Sequence, residues 1–114
     1  MANDGARAEE LAAAFLRRQG LKLLEKNYRC RFGEIDLILK DGETLVFVEV
    51  RLRGNPRYGG AAASITPAKR AKLLKTARHY LGHLTHFPPC RFDAVLLNDA
   101  AGESLEWIRN AFGE

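Results

Sequence analysis

The stretch Gly33-Glu-Ile-Asp-Leu-Ile-Leu-Lys-Asp-Gly-Glu-Thr-Leu-Val-Phe-Val-Glu-Val-Arg51 consists of two apolar runs about a turn signal, with charges set into both runs. Asp41-Gly42 suits a tight hairpin turn, because Gly takes positive φ freely and Asp takes it better than most residues. Segments 33–39 and 45–51 are therefore expected to pair antiparallel. A two-residue loop with Lys40 opposite Glu43 leaves Asp36 facing Phe47 and Glu34 facing Glu49, whereas a four-residue loop sets Asp36 directly opposite Glu49. Side chains alternate at period two. In either register Glu34, Asp36 and Glu49 then share one face with Arg51, while Ile35, Leu37, Leu39, Val46, Val48 and Val50 fill the other.

Opposed and diagonal positions on paired strands lie within roughly 5 to 8 Å, close enough for two carboxylates to hold one divalent cation. The acids share their face with Ile38 and Phe47, and burying them unpaired would be costly. A cation bound by Asp36, Glu49, the Val50 backbone carbonyl and water relieves that cost. Hard oxygen donors without His or Cys indicate Mg²⁺ or Mn²⁺ over zinc. The competing arrangement is a set of ordinary salt bridges, Glu49 with Arg51 or Arg53 and Asp36 with Lys69 or Arg29.

Outward from the hairpin, segment 5–19 places Leu11, Ala12, Phe15 and Leu16 at helical spacing, with Asn3 or Asp4 as cap and Gly20 as stop. Segment 21–31 reads as a strand leading into the hairpin. Segment 53–64 is rich in Gly and small residues and reads as a loop. Thr66-Pro67 supplies a cap and a first-turn proline, and Ala71, Leu74, Ala77, Leu81 and Leu84 form a buried stripe through a helix of about four or five turns. Pro88-Pro89 closes it. Segments 91–98 and 104–108 read as strands about a turn at 99–103. A helix between two strands permits 92–97 to lie parallel to 45–50. The expectation is an α/β fold, a mixed sheet of about five strands flanked by helices, formed by all 114 residues as a single domain.

A composition of 46% hydrophobic and 28% charged residues describes a globular chain, with no apolar stretch long enough to span a bilayer and no apolar segment at the N-terminus. The cytoplasm is the expected compartment, without a membrane partner. Cys30 and Cys90 stand outside any Cys-x-x-Cys pattern. The formal charge of +4 hides an asymmetry, because no Asp or Glu occurs between Glu49 and Asp93. That segment holds Arg51, Arg53, Arg57, Lys69, Arg70, Lys72, Lys75, Arg78 and Arg91 and all three histidines, a one-sign field suited to nucleic-acid phosphates. Arg53, Arg57, Lys69, Arg70 and Lys72 are the expected phosphate contacts, and Tyr58 is either a stacking surface for an exposed base or an anchor of its loop. His79, His83 and His86 lack the acid of a His-Glu-x-x-His zinc motif and are read as surface histidines. Trp107 and Phe112 are read as packing residues.

A helical Glu9, then Gly-Glu-Ile-Asp, a hairpin, Val-Glu-Val-Arg and a basic helix: this order resembles the PD-(D/E)XK nuclease superfamily. Nearly the whole chain is similar to the YraN-like family of small bacterial proteins, regarded as endonucleases related to archaeal Holliday-junction resolvases. Tyr58-Gly-Gly-Ala-Ala-Ala-Ser-Ile-Thr66 and Ala77-Arg-His-Tyr-Leu81 extend the match. The resemblance implies a restriction-endonuclease-like fold, with Asp36 as the central metal-binding acid and Glu49 as the acid of the Glu-x-Lys motif. Arg51 stands where that motif has Lys. Arg can match phosphate oxygens but cannot lose its proton at working pH, so Arg51 is excluded as a general base. Lys69 is the further phosphate contact, and Glu9 and Glu34 would assist. The implied partner is DNA, including branched or Holliday-junction DNA, whose two-fold symmetry would favour a homodimer. Two alternatives remain, a nucleic-acid-binding protein of the same fold without catalysis and a protein-interaction domain whose basic helix meets an acidic partner.

Overall fold

In the computed structural model, which describes residues 4–52, 66–98 and 104–112, the elements are α1 (Asp4–Arg18), β1 (Lys22–Cys30), β2 (Gly33–Asp41), β3 (Thr44–Leu52), α2 (Pro67–Leu81), β4 (Cys90–Leu97) and β5 (Leu105–Phe112). The strands form one sheet in the order β1-β2-β3-β4-β5. All neighbours pair antiparallel except β3 and β4, which are parallel and joined through α2. This is the expected mixed α/β architecture, and it is compatible with a restriction-endonuclease-like fold. The expected loop at 53–64, the turn at 99–103 and the Asn3 cap lie outside the described residues.

Each helix covers one face of the sheet. Ala8, Ala12, Ala13 and Leu16 recur on one side of α1 and pack on Leu37, Leu39, Val46, Val48 and Val50. Three of these four helix residues are alanine, which lets the helix axis approach the strands closely. Gly20 at φ 98 ends α1, and the Leu21 amide donates to the Leu16 carbonyl at 3.1 Å, closing the last turn. On the other face α2 packs on Ile35, Ile38, Leu45, Phe47, Phe92, Ala94 and Leu96. Its Thr66 cap accepts the Lys69 amide at 3.2 Å, with Pro67 following, as the sequence predicts.

The buried stripe of α2 is turned from the expected one. Leu73, Thr76 and Ala77 are its buried residues and Ala71 is exposed, while Leu84 lies beyond the helix end. The close approach to Gly33 accounts for this rotation. A Cβ at Gly33 would lie 3.2 Å from Thr76 Oγ1, and the Gly33 φ of 148 favours glycine in any case. Thr76 turns its hydroxyl back to the Lys72 carbonyl at 2.8 Å and presents a compact surface to the strand.

The hairpin also differs in detail. Asp41 pairs with Thr44, so Gly42-Glu43 are the two central turn residues, not Asp41-Gly42. Gly42 at φ 60 supplies the positive φ at the first of them. This two-residue loop produces the register that would set Asp36 in line with Glu49. The β2–β3 ladder stops one step earlier, at Leu37–Val48. Ile35 is not on the face of Leu37 and Leu39, as alternation predicts, but in the cluster under α2. Alternation slips across Asp36, opposite Asn27 at φ 54 in β1, where the regular β1–β2 pairing also skips one step.

Strand β5 continues to Phe112, past the expected end at 108, across an irregularity between Phe92 and Ala94. Asn110 at φ 52 makes that step, and its amide donates to Asp93 Oδ1 at 2.9 Å. Asp93 is fully buried and also accepts from Trp107 Nε1 at 2.9 Å and from Arg91 Nε at 3.1 Å. Arg91 reaches on to Asp41 at 3.0 Å. Trp107 is thus a packing residue with its polar end satisfied, edge-on to Phe15 at 6.1 Å.

Candidate active site

Beyond Leu37–Val48 the sheet forks. Strand β2 stays with β1 through Ile35–Tyr28 and Glu34–Arg29, while β3 stays with β4 through Glu49–Ala94 to Leu52–Leu97. The gap between the prongs is a cleft of about 450 Å³, walled by the starts of both helices. Glu9 enters from α1, Glu34 and Asp36 from β2, Glu49, Val50 and Arg51 from β3, and Lys69 and Lys72 from α2. The cleft therefore gathers all the described residues that the sequence proposes for catalysis or metal binding, drawn from four elements. Arg70 is exposed on the same helical turn. Arg53, Arg57 and Tyr58 lie outside the described residues.

One hydrogen bond ties the fork. The Val50 amide donates to Asp36 Oδ2 at 2.9 Å, a side chain taking the place of a strand partner. An extended residue turns its N–H and C=O to the same side, so the Val50 carbonyl faces the same gap. Asp36 and Glu49 are both buried, at 8% and 5% exposure. Their partners differ. Glu49 Oε1 accepts from Lys69 Nζ at 2.8 Å and Arg51 Nη2 at 3.0 Å. The cation nearest Glu34 is Arg29, at 2.6 Å on the open surface. Of the salt bridges the sequence allowed, Glu49–Arg51 forms; Lys69 goes to Glu49 and Arg29 to Glu34, neither to Asp36.

This distribution sets the proton affinities. Burial raises the Asp36 carboxyl to about 7, with the Glu49 charge adding and the Val50 hydrogen bond opposing. Burial also raises Glu49, and Arg51 pulls it back. The proton of the pair therefore belongs on Asp36, because Glu49 holds the two cations. Glu9 is raised by burial, against a hydrogen bond from the Asn27 side chain, with Glu34 adding repulsion. Asn27 is the site residue that pattern reading missed. Its only signal is the tolerance of Asn for positive φ, which says nothing about what the side chain meets.

Asp36, Glu49 and the Val50 carbonyl form an all-oxygen donor set, which suits a hard cation and not zinc. Among the described residues no three His, Cys, Asp or Glu side chains converge as a metal-ligating group. Water would therefore complete the coordination of any ion held there. Arg51 Nε is buried and finds no acceptor among the described residues, and the same holds for Arg91 Nη2 outside the cleft.

A family model described as "Uncharacterised protein family UPF0102" matches residues 8–97. The chain belongs to this family. The UPF0102 match spans every residue lining the cleft and ends with β4, so β5 lies outside it. Among curated relatives, a UPF0102 protein of Nitrosomonas europaea is 64% identical over 98% of this chain and 95% of its own. UPF0102 proteins of Methylobacillus flagellatus and Cupriavidus necator are 55% and 54% identical, over 95% and 96% of this chain and 95% and 82% of their own. Among the described residues of this UPF0102 protein, no helix is long and apolar enough to cross a membrane.

Proposed function

We propose that the protein is a metal-dependent DNA endonuclease that hydrolyses phosphodiester bonds in the cleft between the two prongs of the sheet, with branched DNA as its substrate class. The observation that carries this reading is Asp36. It is a buried carboxyl beside a second buried acid, raised to about 7, while the neighbouring cations pair with Glu34 and Glu49. Paired carboxylates buried without full charge compensation are costly in a purely structural role and useful in a site that receives a cation.

Asp36, Glu49 and the Val50 carbonyl are the groups that would hold Mg²⁺ or Mn²⁺. The bound ion would supply an acidified water and neutralise charge on the phosphate. The other roles belong to side chains. A guanidinium matches phosphate oxygens, so the part of Arg51 is to bind the scissile phosphate. Lys69 brings an ammonium to Glu49 from α2, beside the position where the Glu-x-Lys motif carries its lysine. Hydrolysis adds water across one P–O ester bond, giving a phosphate monoester and a hydroxyl, with the proton of water reaching the leaving oxygen through solvent.

The test is incubation of the purified protein with labelled junction, flap and linear DNAs in Mg²⁺ or Mn²⁺, beside an Asp36→Ala variant, with calorimetry of metal binding. Cleavage by the wild type alone is the expected result. Equal cleavage by both proteins would mean contamination and remove the assignment. A second reading is a non-catalytic DNA-binding site in the same cleft, favoured by Arg51 and by the double occupation of Glu49 Oε1. It expects salt-sensitive binding and no product with either ion.

A further inference from the structure

The hairpin between β1 and β2 carries Arg31-Phe32 at its two central positions, between the paired residues Cys30 and Gly33. Neither residue takes positive φ, so the turn sets no demand on their side chains. Phe32 is half-buried. The Arg31 guanidinium lies 4.8 Å from its ring centroid, and the His79 ring stands edge-on at 6.2 Å. His79 is anchored by the Tyr28 hydroxyl and adjoins exposed His83 at 5.1 Å. The His79 ring lies on the same stripe of α2 that begins in the cleft: Lys72, Thr76 and His79 recur at helical spacing, and His83 follows just past the helix end.

We propose that the Phe32 ring, supported edge-on by His79, is a stacking platform for an unpaired nucleotide of the DNA strand that enters the cleft. The proposal rests on the nucleic-acid reading of the cleft and adds the feature that selects strand state. From Lys72 to His79 the helix advances about 10 Å, a span of roughly three stacked nucleotides. A base replaces the Arg31 guanidinium over the Phe32 ring, and the released guanidinium binds the adjoining phosphate, as its planar donors suit. The platform is sequence-tolerant, because every base offers a π-face.

Binding is measured by fluorescence anisotropy in chelator without divalent ions, so that cleavage plays no part. The probes are a blunt duplex and the same duplex with a single-stranded overhang carrying 2-aminopurine at successive positions. Wild type should bind the overhang about ten-fold or more tightly than the blunt duplex, with the 2-aminopurine signal changing most at one position. Phe32→Leu, which keeps an apolar side chain without a π-face, should lose that preference, and Phe32→Tyr should restore it. Each variant's thermal unfolding guards against a folding defect. Equal binding of both probes, or an overhang preference unchanged in Phe32→Leu, overturns the proposal. Absence of binding to both probes overturns the nucleic-acid reading with it. An intact overhang preference in a protein that cleaves nothing with Mg²⁺ or Mn²⁺ upholds the platform and removes only the nuclease chemistry.

Discussion

Replacing Asp36 by Asn should make the protein more stable at alkaline pH than at acid pH, relative to wild type. An ordinary aspartate value is 3.8 and burial beside Glu49 raises Asp36 to about 7. A shift of about three units corresponds to about 4 kcal/mol between the two protonation states. The folded state binds the proton more tightly, so this stabilisation is present in full below the unfolded value and is lost as pH rises to about 7. Between about pH 5 and about pH 8 the wild type should give up roughly 2.5 kcal/mol from this source. The asparagine side chain of the variant keeps an acceptor for the Val50 amide and does not titrate. Urea denaturation in chelator at both pH values is the assay, and the Asp36→Asn variant should gain on wild type by roughly 1 to 2 M in midpoint at the higher pH. Saturating Mg²⁺ at the higher pH should then favour the wild type, since a ligand stabilises the state that binds it. A stability difference that is the same at both pH values would refute the burial argument, because it would mean that Asp36 is already ionised and compensated in the metal-free protein.

Asp93→Ala removes the acceptor for Trp107, Asn110 and Arg91 from a fully buried position, and should cost about 3 to 5 kcal/mol in chemical denaturation. Gly33→Ala sets a methyl group 3.2 Å from Thr76 Oγ1 at a φ that favours glycine, and should lower stability by about 1 to 3 kcal/mol, read as a fall in Tm. Lys69→Met strips one of the two cations from Glu49 and should lower single-turnover cleavage by about 10²-fold while leaving the far-UV circular dichroism unchanged.

The order of elements was legible because each carries its own periodicity and punctuation: the alanine and leucine spacing of α1, Gly20, Thr66-Pro67, and the alternation of the central hairpin. The carboxylate cluster was legible for the same reason, since period two puts Asp36 and Glu49 together from local pattern. What pattern could not supply was any departure from period. The slip at Asp36 lies opposite Asn27, nine residues earlier and on another strand, so alternation alone puts Ile35 on the face opposite to the one it takes. The turn moved by one residue because Asp-Gly and Gly-Glu are both acceptable centres when only Gly42 needs positive φ. The helix stripe shifted because Gly33 admits Thr76, a contact between residues more than forty positions apart. The buried hub at Asp93 is likewise hidden from pattern, since an isolated acid in an apolar strand gives no local sign of its donors.

The fork after Leu37–Val48 makes the cleft partly a main-chain object. The Val50 amide and carbonyl face the gap whatever side chain the residue carries, so exchanges among β-branched residues there should leave the site intact, and an alanine scan would pass over it. At position 50, only a change that alters the backbone itself, such as proline, would remove the hydrogen bond to Asp36. A search for the residues that matter in this cleft, conducted through side chains alone, would find the acids and lysines and miss the place where two strands part.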